Sequence, residues 1–89
     1  MNYIYFTDCF ETNKKLKDFW LLSHKDVKDA SECQQRYCQQ NKKCTAFVYN
    51  TITKECTLKK APVRLNGLGR LKLQNEDGKI FGPQYCPGN

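Results

Sequence analysis

DASECQQRYCQQNKKCTAFVYNTITKECTLKK, Asp29 to Lys60, holds four of the chain's six cysteines and decides the fold. Its first part has the pattern of a short amphipathic helix, from Asp29 to a stop at Asn41. Asp29 is placed to cap the helix, with Glu32 three positions later returning its carboxylate in a capping box. Ser31 with Gln34 is the alternative pair. Ala30, Cys33 and Tyr37 share a helical face and mark its buried side. Asn41 ends the pattern because asparagine tolerates the left-handed conformation. The second part gives two strands joined by a loop. Thr45, Phe47 and Tyr49 alternate with Ala46 and Val48, so one set faces the helix and the other the far side of a sheet. Asn50 to Glu55 is the hairpin loop, and Cys56 to Lys59 returns with Leu58 beside the core.

The cysteine spacing limits the pairing. Cys33 and Cys38 are five positions apart, which on an α-helix separates them by about 140° around the axis and roughly 7.5 Å along it. Bridged cysteines usually have Cα atoms ~4.4–6.8 Å apart, so these two are not expected to pair with each other. Cys44, just past the helix, can fold back onto Cys38. Cys33 points toward a strand beneath the helix, where Cys56 is the candidate. Cys9 and Cys86 remain, near the two ends of the chain.

The same residues carry a family resemblance. Cys33 and Cys38 on the helix, C-T-A-F-V-Y-N from Cys44 to Asn50, C-T-L-K from Cys56 to Lys59, and the closing G-P-Q-Y-C from Gly82 to Cys86 resemble the PAN/apple domain. Phe81 stands where many members have a serine. The resemblance implies pairing of first with sixth, second with fifth and third with fourth cysteine: Cys9–Cys86, Cys33–Cys56 and Cys38–Cys44. The expected fold class is α+β, with one α-helix packed on an antiparallel sheet and three disulfides. Apple domains sit in tandem in secreted proteins, among them microneme adhesins of apicomplexan parasites, which the tail and the aromatic strand are most similar to. The implied role is extracellular recognition of protein or carbohydrate in cell adhesion or host-cell attachment. A structural assembly module, docking onto neighbouring apple domains or a partner subunit, is the alternative.

Outside this stretch the pattern is plainer. Residues 2–7 alternate aromatic and apolar side chains and suggest a first strand beside the one that ends at Cys86. Glu11 to Lys17 is polar and is expected to be a surface loop. Phe19 to Leu22 suggests a strand with both faces partly covered, with Trp20 in the core and His24 in a polar surface turn. Leu71 and Leu73 alternate with Arg70 and Lys72 as a strand. Asn66-Gly67 and Asn75 to Gly78 are expected turns, with Lys79 to Phe81 the last short strand.

Eighty-nine residues make one domain with a modest core, so covalent staples are expected. Six cysteines in so short a chain point to an oxidising compartment. With no visible signal peptide, the simplest expectation is a domain cut from a larger secreted multi-domain protein. No run approaches the ~18–20 apolar residues of a membrane span, so no membrane insertion is expected. A zinc site is disfavoured by the lack of a C-x-x-C pair and by a single histidine. No catalytic constellation or phosphate loop occurs, so the chain is expected to be no enzyme and to need no cofactor.

The net charge of +6 favours acidic partners. Nucleic acid does not suit an oxidising compartment, whereas an anionic glycan or acidic protein surface does. No acidic residue lies between Glu55 and Glu76, yet Lys59, Lys60, Arg64, Arg70 and Lys72 all do. If they gather on one edge, these five form the expected ligand-binding stretch, with arginine supplying bidentate contacts.

Overall fold

The computed structural model describes residues 9–62 and 72–86. Asp29 is the helix cap: its backbone is extended, and its side-chain oxygen accepts the Glu32 amide at 2.9 Å. Glu32 reaches back one residue further than a capping box requires, to the Lys28 amide at 2.8 Å, and also pairs with Arg36 at 3.2 Å.

The helix is shorter than expected and changes winding. Ala30–Glu32 is α-helical (α1), and Cys33–Cys38 is a π-helix. Its end is marked by the Gln39 amide donating to the Gln34 carbonyl, five residues back, at 2.8 Å. An α-helix turns residues five apart to different faces. Winding with i→i+5 bonds returns them to the same face, and both Cys33 and Cys38 are buried in the core. Asn41 stops the helix by another route than the left-handed cap, since it is not among the residues of positive φ. Its amide donates to the Cys38 carbonyl, its side chain accepts from Lys43, and its carbonyl accepts from Cys44. That local turn is what an asparagine side chain favours, and it carries Cys44 back to Cys38.

Among the described residues, five strands form one antiparallel sheet: β1 (Glu11–Lys15), β2 (Trp20–His24), β3 (Ala46–Asn50), β4 (Glu55–Lys59) and β5 (Gln74–Pro83), in the order β1-β5-β3-β4-β2. The β3–β4 hairpin lies in the interior of the sheet, with Phe47 opposite Leu58 and Tyr49 opposite Cys56. Phe47, Tyr49, Cys56 and Leu58 pack with the helix, Val27 and both helix cysteines. The Tyr49 hydroxyl donates to the Val27 carbonyl. Ala46 and Val48 face the other way, onto Leu16, Ala61 and Phe81. Phe81 therefore fills a second small core.

Several expectations are corrected at the sheet edges. Glu11–Lys15 is a strand rather than a loop; it reads as polar because an edge strand faces solvent, and lysine on an edge discourages further pairing. Asn75 to Gly78 is not a turn between strands. It lies within β5, where pairing jumps from Thr12–Ile80 to Lys14–Asn75. Asn13 and Gly78 take positive φ in this bulge, and the Gly78 amide donates to the Asn13 side chain at 3.2 Å. The turn chemistry is present but bends a strand instead of reversing the chain. Lys72 and Leu73 precede β5 and belong to no strand, and the last strand is longer than Lys79 to Phe81. His24 is not in a turn: it ends β2 opposite Cys56, half-buried, with its ring 4.1 Å from that of Tyr37. The expected first strand over 2–7 and the turn at Asn66-Gly67 lie outside the described residues.

Three disulfides close the structure: Cys9–Cys86, Cys33–Cys56 and Cys38–Cys44, with Cα separations of 5.7, 5.4 and 5.2 Å. The second ties the helix to β4, the third ties the helix end to the approach to β3, and the first joins the segment before β1 to the one after β5. Side-chain amides fix the closing segment as well. Gln34 donates to the Pro83 carbonyl at 3.1 Å, Gln39 to the Gln84 carbonyl at 3.0 Å, and Gln84 returns to the Cys38 carbonyl at 3.1 Å. Gln34 is itself buried, so its replacement leaves a carbonyl without its partner. Gln34→Ala is expected to cost about 1–3 kcal/mol, read from denaturant unfolding. An unchanged midpoint would show that the tail holds through its disulfide alone.

Candidate recognition surface

The basic stretch is only partly a surface. Lys59 is 6% exposed, because strand alternation after Cys56 and Leu58 turns it onto the far face of the sheet, beside Ala46 and Ala61. Its ammonium donates to the Lys17 carbonyl at 3.5 Å. Burial lowers its pKa; Asp18 opposes this, and Lys79 and Lys15 add to it. Lys59 is thus not one of a converging set of exposed cations. Lys60 and Lys72 are exposed, and Arg64 and Arg70 lie outside the described residues.

Between the lowered folded value and the ordinary lysine value, the unfolded chain binds more protons, so stability rises with pH across that window. Lys59→Met keeps the volume and removes the charge. The variant is expected to melt higher at pH 7 and to lose that alkaline gain, as thermal unfolding at stepped pH would show. A lower melting point for Lys59→Met would mean that the ammonium is stabilising where it sits.

Three other charges of the sheet form one ion-paired group. Glu76 bridges Lys15 at 2.5 Å and Lys79 at 3.2 Å, and these hydrogen bonds hold its pKa below the ordinary carboxylate value. Lys14 donates to the Asn75 side chain.

Trp20 is the main departure from expectation. Instead of lying in the core it is 66% exposed, and Phe19 beside it is 43% exposed. The Phe-Trp-Leu-Leu run hides this because its alternation breaks. Trp20 pairs with Lys59 and Leu22 with Leu58, which leaves Leu21 as an extra residue in a bulge. Leu21 and Leu22 pack against the core while the two aromatics before them do not. The indole N–H donates to the Ser23 hydroxyl at 3.1 Å, and that hydroxyl lies 3.2 Å from the Thr57 hydroxyl. An edge strand read from sequence offers no sign of which aromatic stays uncovered; the polar Lys17-Asp18 pair just before the run is the nearest signal.

Among the described residues, no group of three or more His, Cys, Asp or Glu is arranged to hold a metal ion, and no helix is long and apolar enough to cross a membrane. Every cysteine is in a disulfide.

The described residues form a small disulfide-stapled α+β domain with exposed lysines and an aromatic edge. The chain belongs to the PAN domain family, whose family profile matches residues 9–86. Modules of this family generally bind protein or carbohydrate. Comparison with curated proteins returns no match.

Proposed function

We propose that the chain is an extracellular recognition module that binds an anionic glycan or acidic protein and serves cell adhesion, in the manner of a microneme adhesin attaching a parasite to its host cell. The observation that carries this reading is the acid-free run between Glu55 and Glu76 on a chain of net charge +6. Lys60 and Lys72 in that run are exposed. The disulfide framework suits the oxidising space such a module works in. The tail Gly82 to Cys86 and the strand Thr45 to Asn50 support the adhesin likeness.

Recognition by exposed cations is screened beyond ~8 Å at physiological ionic strength. Affinity for sulfated glycans is therefore expected to fall steeply between low and physiological salt. Arg64→Ala with Arg70→Ala is expected to weaken binding several-fold, since each guanidinium contributes a charge-assisted contact. The fold is expected to shift by no more than ~0.5 kcal/mol. A glycan-binding screen with a salt titration measures both. Salt-independent binding, or an unchanged double variant at low salt, would assign the run to solubility alone.

A further inference from the structure

We propose that Phe19 and Trp20 form a stacking platform for a pyranose ring of an acidic glycan; this rests on the recognition reading above and names where a sugar sits. Three observations carry it. The first is backbone strain. Phe19 has φ 66°, a conformation that a bulky residue rarely adopts and that persists where surrounding structure enforces it, often at ligand sites. Here the Lys60 amide donates to the Phe19 carbonyl at 2.8 Å, which fixes the strained residue against the end of β4. The outcome is two exposed aromatic side chains, consecutive in sequence, on a chain whose core is small.

The second observation is that the indole is already oriented. Its N–H is held by Ser23, and Ser23 is held against Thr57. A ring fixed before binding loses less freedom on binding. An aromatic face is electron-rich, and it suits the C–H face of a pyranose, while the two hydroxyls offer hydrogen bonding to sugar oxygens at its margin.

The third observation selects the partner. The bulge at Leu21 interrupts the regular ladder at this edge, and bulges discourage the addition of a further strand. A partner that adds backbone to backbone is thereby disfavoured against one that stacks. Lys17, two positions before Phe19, and Lys60, bonded through its amide to the Phe19 carbonyl, are both exposed, with Asp18 as the single acid in the Lys17 to Trp20 segment. The local excess of positive charge complements a sulfate or carboxylate on the sugar.

Trp20 is the only tryptophan, so its emission reports this site alone. The probes are a heparin-derived tetrasaccharide, its desulfated form that keeps the uronate carboxylates, and lactose. Saturable change in emission is expected with the acidic probes, the two of them separating sulfate from carboxylate recognition. Trp20→Ala is expected to lower affinity about tenfold by calorimetry, with an amide spectrum that shows the fold retained. In the Arg64→Ala, Arg70→Ala variant the emission change at saturation should persist. Binding that leaves emission unchanged and survives Trp20→Ala would overturn the platform while leaving the recognition reading in place on the basic run. Failure of every probe to bind would overturn the platform too. An equal response to lactose would overturn the acidic assignment. An emission shift that follows protein concentration without sugar would make this edge an interface between copies and overturn the proposal.

Discussion

Removing the Cys33–Cys56 bond by double alanine substitution is expected to cost about 3–5 kcal/mol, the greater part of the stability of a small domain. Both residues are fully buried, and their bond is the covalent tie between the helix and β4. In the chain-entropy account, closing this loop contributes about 3.4 kcal/mol, against about 4.5 for Cys9–Cys86 and about 2.4 for Cys38–Cys44. These are upper values, because the reduced chain retains some order. The middle bond is still the most consequential to lose, since two sulfurs also leave a void in the helix-side core, where truncation carries a cavity cost. Circular dichroism across a denaturant series measures the effect. Full reduction is expected to unfold the chain, since the three contributions together approach the ~5–15 kcal/mol of a whole domain. A double variant that unfolds at the native midpoint would mean that packing alone seats the helix.

The second large effect is expected at Phe47. It is fully buried on the central strand, with the Phe10 ring edge-on at 5.3 Å. Phe47→Ala is expected to cost about 3–5 kcal/mol. The same packing constrains Gly82, which pairs with Phe47 across β3 and β5. A Cβ at position 82 would stand 2.6 Å from the Phe47 ring and 2.8 Å from that of Phe10. Gly82→Ala is therefore expected to cost about 1–3 kcal/mol through overpacking. Combining Gly82→Ala with Phe47→Leu should cost less than the sum of the two, because the smaller side chain makes room for the added methyl. Strict additivity in that cycle would show that the glycine matters for some reason other than the ring above it.

The central hairpin was legible because Ala46 to Tyr49 is apolar at every position and covered on both sides. The helix start was legible because Asp29 and Glu32 are capping residues at the right interval. What escaped has physical reasons. β1 and the first half of β5 owe their order to each other and carry the polar side chains of an edge, so their composition matches that of loops. The π winding of Cys33–Cys38 follows from seating two cysteines on one face, a demand that comes from Cys56 and Cys44 and not from local propensity. The charge of Lys59 says less than its position: two places after Thr57 and one after Leu58, it alternates onto a covered face, whereas Lys60 leaves the strand and meets solvent. A lone tryptophan is usually core, and the bulge after Trp20 removes the alternation that would locate it at the surface.

The bond between Cys9 and Cys86 has a mechanical meaning. It holds the Cα atoms of the two residues 5.7 Å apart, with the whole sheet and helix contained between them in sequence. A pull applied to the chain outside these two cysteines passes from one to the other through sulfur, and the strands between them carry none of the load. Stretching by single-molecule force spectroscopy should show no extension from this domain while the bond is intact, and a sudden lengthening once it is reduced. That shunt keeps the sheet and the helix in shape under tension, whatever pulls on the chain at either end.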